Sequence, residues 1–479
     1  MEAPPPFWEP SSSSPWIHVE GRLFENGVEG RFSLTVAPDG RFAEEHHSPL
    51  PRAFGFDGQR SWAADWRGGP WTQSLGEASA RRVESAVRFG FLRRPLPAPI
   101  PEGLVLDSTT GLPSEFTHRT SIGDLTRWRF TDVRALDSRA VGTTPGPALS
   151  WPHRVEVLAE HSGFASYTTE QIETEQLETG RFESRLRPRA VASAKWRIPP
   201  SGSVFEVERA PTGHLLIRGV VPSLPPAWFV LDSGAGALVL DRKWITAAGE
   251  AAGGEPEFFG EVNALGVGGS VSAQFTKLAS LRIGDLNATG LIGVAFDLES
   301  LGVALQREIA GILGFDLLLH TALEIDAETP SVRALGAHQL DSLRWQPLLL
   351  DHEVPHIRGS YEGEREGIFV LDTGSALELI LHTPEVIEQR LLAGRETREI
   401  GDAFGAGVGG GLAGDLGRLE WVRAGDIERR DVQTLFARAE FGPLASSSAA
   451  GNLGAPFFRG RRIVFDYRNE RAAFPPTVG

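Results

Sequence analysis

The chain has 479 residues, 41% of them hydrophobic and 23% charged, which is ordinary for globular proteins and predicts two or three domains. Its 47 Lys and Arg against 62 Asp and Glu give a net charge of −15, which argues against nucleic acid or an anionic membrane surface as a partner. The chain has no cysteine, so disulfides, thiol catalysis and cysteine-based metal sites are excluded.

At the amino terminus the sequence predicts no targeting segment. Residues 1–6 lack the basic and apolar regions of a signal peptide. The chain has no run of 18 apolar residues, so the sequence predicts no transmembrane segment. Residues 1–15 are rich in Pro and Ser, which predicts a disordered lead-in. The compartment stays open, with an exported or periplasmic protein that has lost its signal peptide as one alternative.

Residues 16–195 predict a β-rich accessory domain. Alternating apolar and polar residues, as in Gly30 to Val36, indicate strands, and the following Pro38-Asp39-Gly40 indicates a hairpin turn. Further strands are expected at 125–134, 153–159 and 164–176, and one helix at 77–91. The tryptophans of this region are expected in its core, with a ligand pocket as the alternative for Trp62, Trp66 and Trp71. Residues 196–203 have the Pro, Ser and Gly content of a linker.

Beyond residue 203 the sequence repeats itself. Five anchors recur in the same order at an offset of 140 or 141 residues, which indicates a tandem duplication. The anchors are 229–235 with 369–375, 266–269 with 407–410, 282–285 with 423–426, 311–314 with 451–454, and Asp326 with Asp466. We expect the last pair to end strands rather than to carry chemistry.

In each repeat the tripeptide Asp-Ser/Thr-Gly directly follows an apolar, strand-like run. This pattern predicts a buried strand and a tight turn that presents Asp232 in the first repeat and Asp372 in the second. The glycines Gly234 and Gly374 let backbone N–H groups approach the carboxylates. The hydroxyls of Ser233 and Thr373 can bond across to the other repeat and brace the turns. Asp107 also begins a turn-like sequence, but its glycine is not at the position that glycine has in the two Asp-Ser/Thr-Gly tripeptides. This sequence also has no counterpart in a repeat.

Two carboxylates that meet at such turns cannot both ionise cheaply, so they share one proton. The ionised aspartate can then act as a general base on a bound water, while the protonated one donates to the carbonyl oxygen of a scissile amide. This dyad is an established pattern of acid and base roles. It needs no metal, cofactor or covalent intermediate, and the histidines of the chain form no metal-ligand motif.

Residues 204–476 resemble the aspartic proteases of the retropepsin-like and pepsin-like superfamily. The resemblance rests on Asp232-Ser233-Gly234-Ala235, on Asp372-Thr373-Gly374-Ser375, and on the hydrophobic-hydrophobic-Gly elements at 312–314 and 453–454. It implies a mainly β fold of two lobes, 204–340 and 345–476, with an extended polypeptide substrate between them. It also implies mobile flaps at the glycine-rich stretches, which contain Gly268, Gly269, Gly409 and Gly410. Because one chain supplies both aspartates, it implies activity without a dimer.

The resemblance has two departures. No tyrosine lies between Asp232 and Asp326, so the flap tyrosine of pepsin-like enzymes is missing, which favours a retropepsin-like flap. Asn452 stands where the family has a hydrophobic residue. Before the protease-like part, short strings such as 56–62 and 110–113 resemble the half-barrels of lipoprotein carriers.

Three functions are consistent with these features. The first is an aspartic endopeptidase that uses Asp232 and Asp372. The second is a non-catalytic peptide- or ligand-binding protein on a protease-like scaffold, in which the amino-terminal domain is the working part. The third is a peptidase that its own amino-terminal domain inhibits, for which cleavage near 197–203 would raise activity.

Overall fold

The computed structural model describes residues 16–37, 40–89, 102–136, 150–161, 163–175, 183–191, 195–222 and 224–477. Strands dominate these residues, so the prediction of a mainly β protein is confirmed. The predicted lead-in, 1–15, and the turn residues 38 and 39 lie outside the described residues. The chain divides into two compact units, Met1–Thr120 with Asp124–Ser193 and Ser121–Gly123 with Ala194–Gly479.

The described residues of the first unit form one antiparallel sheet of eleven strands, in the order β6-β5-β4-β3-β2-β1-β11-β10-β9-β8-β7. The strands are β1 (Trp16–Glu25), β2 (Val28–Val36), β3 (Phe42–His47), β4 (Arg52–Phe56), β5 (Ser61–Asp65), β6 (Gly68–Gln73), β7 (Leu104–Leu106), β8 (Pro113–Arg119), β9 (Leu125–Ala135), β10 (Ser150–Ala159) and β11 (Gly163–Glu175). Helix α1 (Leu75–Phe89) begins two residues before the predicted start, and a 3-10 turn covers Glu183–Leu186. Trp62 and Trp71 are buried, as expected of core residues.

Residues 195–222 and 224–340, the described part of the second unit up to the end of its first repeat, contribute twelve strands and three helices. The strands are β12 (Lys195–Arg197), β13 (Gly202–Val204), β14 (Val207–Arg209), β15 (Leu215–Val220), β16 (Ala227–Leu231), β17 (Val239–Asp241), β18 (Phe258–Gly266), β19 (Gly269–Ile283), β20 (Leu286–Phe296), β21 (Ile309–Leu313), β22 (Leu323–Asp326) and β23 (Ser331–Leu335). The helices are α2 (Arg242–Ala251), α3 (Glu299–Leu305) and α4 (Phe315–Leu318), with a 3-10 turn at Ala337–Gln339. The stretch 196–203, whose composition predicts a linker, holds the end of β12 and the beginning of β13.

The second repeat contributes eleven strands and one helix. The strands are β24 (Trp345–Pro347), β25 (Leu349–Asp351), β26 (Val354–Tyr361), β27 (Arg365–Asp372), β28 (Leu379–Leu381), β29 (Arg398–Gly407), β30 (Gly410–Ala424), β31 (Ile427–Ala437), β32 (Gly451–Gly454), β33 (Ile463–Asp466) and β34 (Arg471–Ala473). The helix is α5 (Thr383–Glu388), and 3-10 turns cover Pro443–Ala445, Ala455–Phe458 and Tyr467–Asn469. Asp326 and Asp466 end strands, as expected.

Each repeat builds its own sheet, and a third sheet joins the two repeats. The sheet orders are β12-β20-β17-β21-β16-β15-β19-β18 with β14 on β15, β25-β26-β27-β32-β28-β31-β30-β29, and β13-β23-β22-β33-β34-β24. In the joining sheet β22 is antiparallel to β33, and Glu324 faces Val464. These two residues are 140 positions apart, so a pseudo-two-fold axis between the repeats passes at this pair.

Candidate active site

The two predicted turns lie at equivalent places in the two sheets. Strand β16 is parallel to β21, with Leu231 beside Leu313, and β27 is parallel to β32, with Leu371 beside Leu453. All four leucines are buried, which follows from their place in strands covered on both faces. The backbone N–H of Asp232 donates to the carbonyl of Leu313 at 2.9 Å, which fixes the beginning of the first turn.

The turns hold each other through their hydroxyls. The Ser233 hydroxyl donates to the carbonyl of Leu371 at 2.6 Å and accepts from the N–H of Thr373 at 2.9 Å. In return, the Thr373 hydroxyl accepts from the N–H of Ser233 at 3.0 Å and lies 3.5 Å from the carbonyl of Leu231. Ser233 is fully buried. Because buried polar groups are costly when unpaired, this reciprocal set fixes the two turns relative to each other.

The arrangement brings the carboxyl groups of Asp232 and Asp372 together, and they are hydrogen-bonded to each other. Asp232 Oδ1 accepts from the N–H of Gly234 at 2.7 Å, and Asp372 Oδ1 accepts from the N–H of Gly374 at 3.1 Å. A Cβ atom on Gly374 would lie 2.3 Å from Cγ of Asp232, and one on Gly234 would lie 2.8 Å from Asp372 Oδ1. Glycine is therefore required at both positions for the carboxyl groups to approach.

Burial and mutual repulsion set the charge of this pair. Burial and, second to it, the negative charge of Asp232 raise the pKa of Asp372 to about 7, while the hydrogen bond from Asn452 acts in the opposite direction. Burial also raises the pKa of Asp232, while backbone N–H groups, first that of Gly234, oppose this rise. Two adjacent carboxyl groups titrate as one system, so the pair holds one proton over a range of pH below about 7.

The glycine-rich stretches form the tips of two hairpins, β18–β19 and β29–β30, which we call the flaps. The N–H of Gly268 donates to the carbonyl of Val408 at 3.1 Å, so the two tips contact each other. A Cβ on Gly268 would lie 2.2 Å from the carbonyl oxygen of Gly410, and one on Gly409 would lie 2.4 Å from the carbonyl carbon of Gly269. At all four predicted flap positions a Cβ atom would lie 3.1 Å or less from the backbone of the other tip, which explains why these positions are glycine.

The sequence predicts no role for two histidines that lie near the dyad. The His214 ring donates from Nε2 to the carbonyl of Gly374 at 2.8 Å, and its Nδ1 contacts the Thr212 hydroxyl at 2.7 Å. His382 contacts the amide of Asn452, and that amide contacts Asp372. The contact of Asn452 with Asp372 could have been suspected from the sequence. Asn452 is polar, whereas the equivalent residue of the first repeat is Ile312.

Other candidate groups have structural roles. The Asp107 carboxylate accepts the N–H groups of Thr109 and Thr110 in an exposed turn. The Asp326 carboxylate accepts two N–H groups of its own turn in the same way. Among the described residues no group of His, Asp and Glu side chains is arranged to hold a metal ion. No helix within the described ranges is long and apolar enough to cross a membrane.

Sequence comparison assigns part of this unit to a known class. Residues 217–317, which include Asp232 and β21, match the profile of the aspartyl protease family. The chain contains an aspartic protease-like domain. No curated protein sequence matches the chain. Among solved structures, basic 7S globulin from soybean aligns with 58% of this chain and 96% of its own, at 11% identity and a TM-score of 0.36.

Proposed function

We propose that the chain is an aspartic endopeptidase in which Asp232 and Asp372 activate a water between them. The observation that carries this proposal is the pair of hydrogen-bonded carboxyl groups, each backed by the N–H of its own glycine and braced by Ser233 and Thr373. A dyad needs this closeness, because only adjacent carboxyl groups are forced to share a proton. The proposed lobes are 204–340 and 345–476, and both acids come from one chain.

The reaction uses general acid and base catalysis. The ionised aspartate takes a proton from the water, whose oxygen attacks the amide carbon, while the protonated aspartate donates its proton to the carbonyl oxygen. In the second step the aspartate that took the water proton donates it to the amide nitrogen as the C–N bond breaks, and the other aspartate takes a hydroxyl proton from the gem-diol intermediate, so the dyad again holds one shared proton. The proposed substrate is an extended polypeptide held between the flaps and the dyad, and its entry requires the contact of Gly268 with Val408 to open.

The test is cleavage of a mixed peptide library by the purified full chain between pH 3 and pH 8, read by mass spectrometry. We expect cleavage that a statine-type transition-state mimic blocks. Above about pH 7, kcat/KM should fall about tenfold per pH unit, because Asp372 loses the proton that the acid step needs. Silence at every pH, also after removal of residues 1–193, would favour the binding-scaffold function instead.

A further inference from the structure

The turn that presents Asp372 is held by a side chain from the first repeat. His214 directly precedes β15, in the hairpin that β15 forms with β14, and its backbone carbonyl accepts from the N–H of Ala210 at 2.9 Å. From this place the ring reaches Gly374, whose carbonyl oxygen lies 2.8 Å from Nε2. The equivalent residue of the second repeat is Val354, whose side chain cannot form a hydrogen bond. The two repeats therefore differ at this side chain.

The bond from His214 ends on the peptide group that closes the turn. This group, between Gly374 and Ser375, accepts from the ring at its carbonyl, and its N–H donates to the carbonyl of Asp372 at 3.2 Å. The N–H of Gly374 itself donates to Asp372 Oδ1 at 3.1 Å. Gly374 also faces Asp232, since a Cβ on Gly374 would lie 2.3 Å from Cγ of that residue. A side chain that fixes this peptide group therefore fixes the surroundings of both carboxyl groups.

Hydrogen-bond matching settles the proton of one ring nitrogen of His214 and lets the other titrate. A carbonyl oxygen only accepts, so Nε2 carries a proton in every state that keeps the bond to Gly374. Nδ1 lies 2.7 Å from the Thr212 hydroxyl, which can donate to a bare nitrogen or accept from a protonated one. The ring can therefore gain a proton and keep both contacts, because only the hydroxyl hydrogen has to turn.

A cationic His214 acts on the charge of the dyad. Burial, the largest effect, lowers the pKa of His214 below 6.5, while the bond to Gly374 and the negative charge of Asp372 oppose this change. The ring is therefore neutral near pH 7 and becomes a cation at a more acid pH. Two interacting sites affect each other by the same free energy, so the cation favours an ionised dyad as much as the ionised dyad favours the cation.

The other charged groups near the ring have partners of their own. Within the described residues, the charge that acts on this ring is that of Asp372. On β14 and β15 and beside them, Glu208 pairs with Arg307, Arg218 pairs with Glu206, and Arg209 donates to the backbone carbonyls of Ala327 and Glu328. Beside the dyad, burial raises the pKa of Tyr467 well above its usual value, so its phenol stays neutral.

We propose that His214 is a positioning residue of the dyad with two effects. Through Nε2 it fixes the peptide group that closes the turn of Asp372, and as a cation at acid pH it favours the singly ionised dyad and extends catalysis to lower pH. This inference rests on the proposed peptidase reaction, in which one ionised aspartate acts as the base. The ring acts through the turn and through its charge, and it takes no proton from the water.

The first test is the pH profile of kcat/KM for His214→Gln, whose amide can donate to Gly374 but carries no charge. Loss of the cation should move the lower limb of the profile to higher pH by about 0.5–1 unit. The upper limb near pH 7 should stay in place, because the wild-type ring is already neutral there. His47→Gln is the matched control, since 62% of the His47 side chain is exposed, and it should move neither limb. A lower limb that stays in place or moves to lower pH overturns the inference.

The second test separates the hydrogen bond from the charge. His214→Val copies the residue of the second repeat and removes the donor as well as the cation. At the pH optimum of each variant, kcat should fall about tenfold in His214→Val and less than about twofold in His214→Gln, because a loosened turn misaligns the carboxyl groups. KM should change less than kcat in both. Equal kcat in the two variants would mean that the bond from Nε2 does not position the turn, and this result also overturns the inference.

The third test does not depend on activity. Histidine side chains enriched in ¹⁵N report which ring nitrogen carries a proton, and His214→Gln identifies the signals of His214. We expect a proton on Nε2 from pH 4 to pH 8, and a lower pKa of this ring in Asp232→Asn/Asp372→Asn, which lacks the charge of the dyad. A bare Nε2 at pH 8, or an unchanged pKa in the double variant, contradicts the inference even if the chain is a peptidase. Both expected results in a chain that cleaves no peptide would contradict the proposed function alone.

Discussion

Asp372→Asn should abolish peptide cleavage and at the same time stabilise the folded chain above pH 7. Asparagine has nearly the shape of aspartate but cannot donate a carboxyl proton, so we expect kcat to fall by at least about 10³-fold. In the folded protein the pKa of Asp372 is raised from 3.8 to about 7, and the contribution of this group to stability is complete below pH 3.8. It is lost as the pH rises through 7, because the folded state must then hold a buried carboxylate beside Asp232.

Asparagine removes this loss, so the variant should exceed the wild type in unfolding free energy at pH 8. The gain should be on the order of 1–4 kcal/mol, since one pKa unit corresponds to about 1.4 kcal/mol. At pH 4 the two proteins should differ much less. Urea unfolding at both pH values measures the effect. Equal stability of the two proteins at pH 8, or a gain in the variant at pH 8 no larger than that at pH 4, would contradict the assignment of a raised pKa to Asp372.

Gly374→Ala should remove activity by displacement rather than by loss of a chemical group. The added Cβ would lie 2.4 and 2.5 Å from the two carboxyl oxygens of Asp232, and neither the turn nor the carboxyl group can yield without breaking its hydrogen bonds. We expect kcat/KM to fall by at least about 10²-fold, because displacements near 1 Å have this effect on aligned catalytic groups. Overpacking should also lower the unfolding free energy by about 1–3 kcal/mol.

The matched control is Gly254→Ala, since a Cβ on Gly254 meets no atom within 4 Å. Its activity and unfolding free energy should stay close to those of the wild type, as is usual for surface substitutions. Kinetics on one peptide substrate and urea unfolding give both quantities. Full activity of Gly374→Ala would mean that the two carboxyl groups are not held together in solution.

Much of the candidate site could be predicted because both repeats contain the same motifs. The offset of 140 residues pairs Asp232 with Asp372, and the structure brings these two residues together across the axis that the same offset defines at Glu324 and Val464. The glycines at the flap tips were visible in the same repeat, although the close approach of the two backbones there depends on the geometry of two distant hairpins.

What the sequence did not predict arises where the repeats differ. His214 and His382 have no histidine 140 positions away, so the duplication gave no signal for either residue. Asn452 was visible as a polar residue in an apolar motif, but its partners come from the ends of β27 and β28, which no local pattern connects. The strand pairs β12–β20 and β13–β23 were equally hidden, because 196–203 has the composition of a linker and its order comes from tertiary pairing.

The most direct measurement of the central claim is turnover of one peptide, selected from the library, by wild type and by Asp232→Asn. The control is Asp107→Asn, which changes an exposed aspartate in a turn whose sequence resembles that of the two catalytic turns. We expect at least about 10³-fold loss of kcat in Asp232→Asn, and wild-type turnover in the control. Cleavage by Asp232→Asn at the wild-type rate would contradict the shared dyad and with it the proposed peptidase.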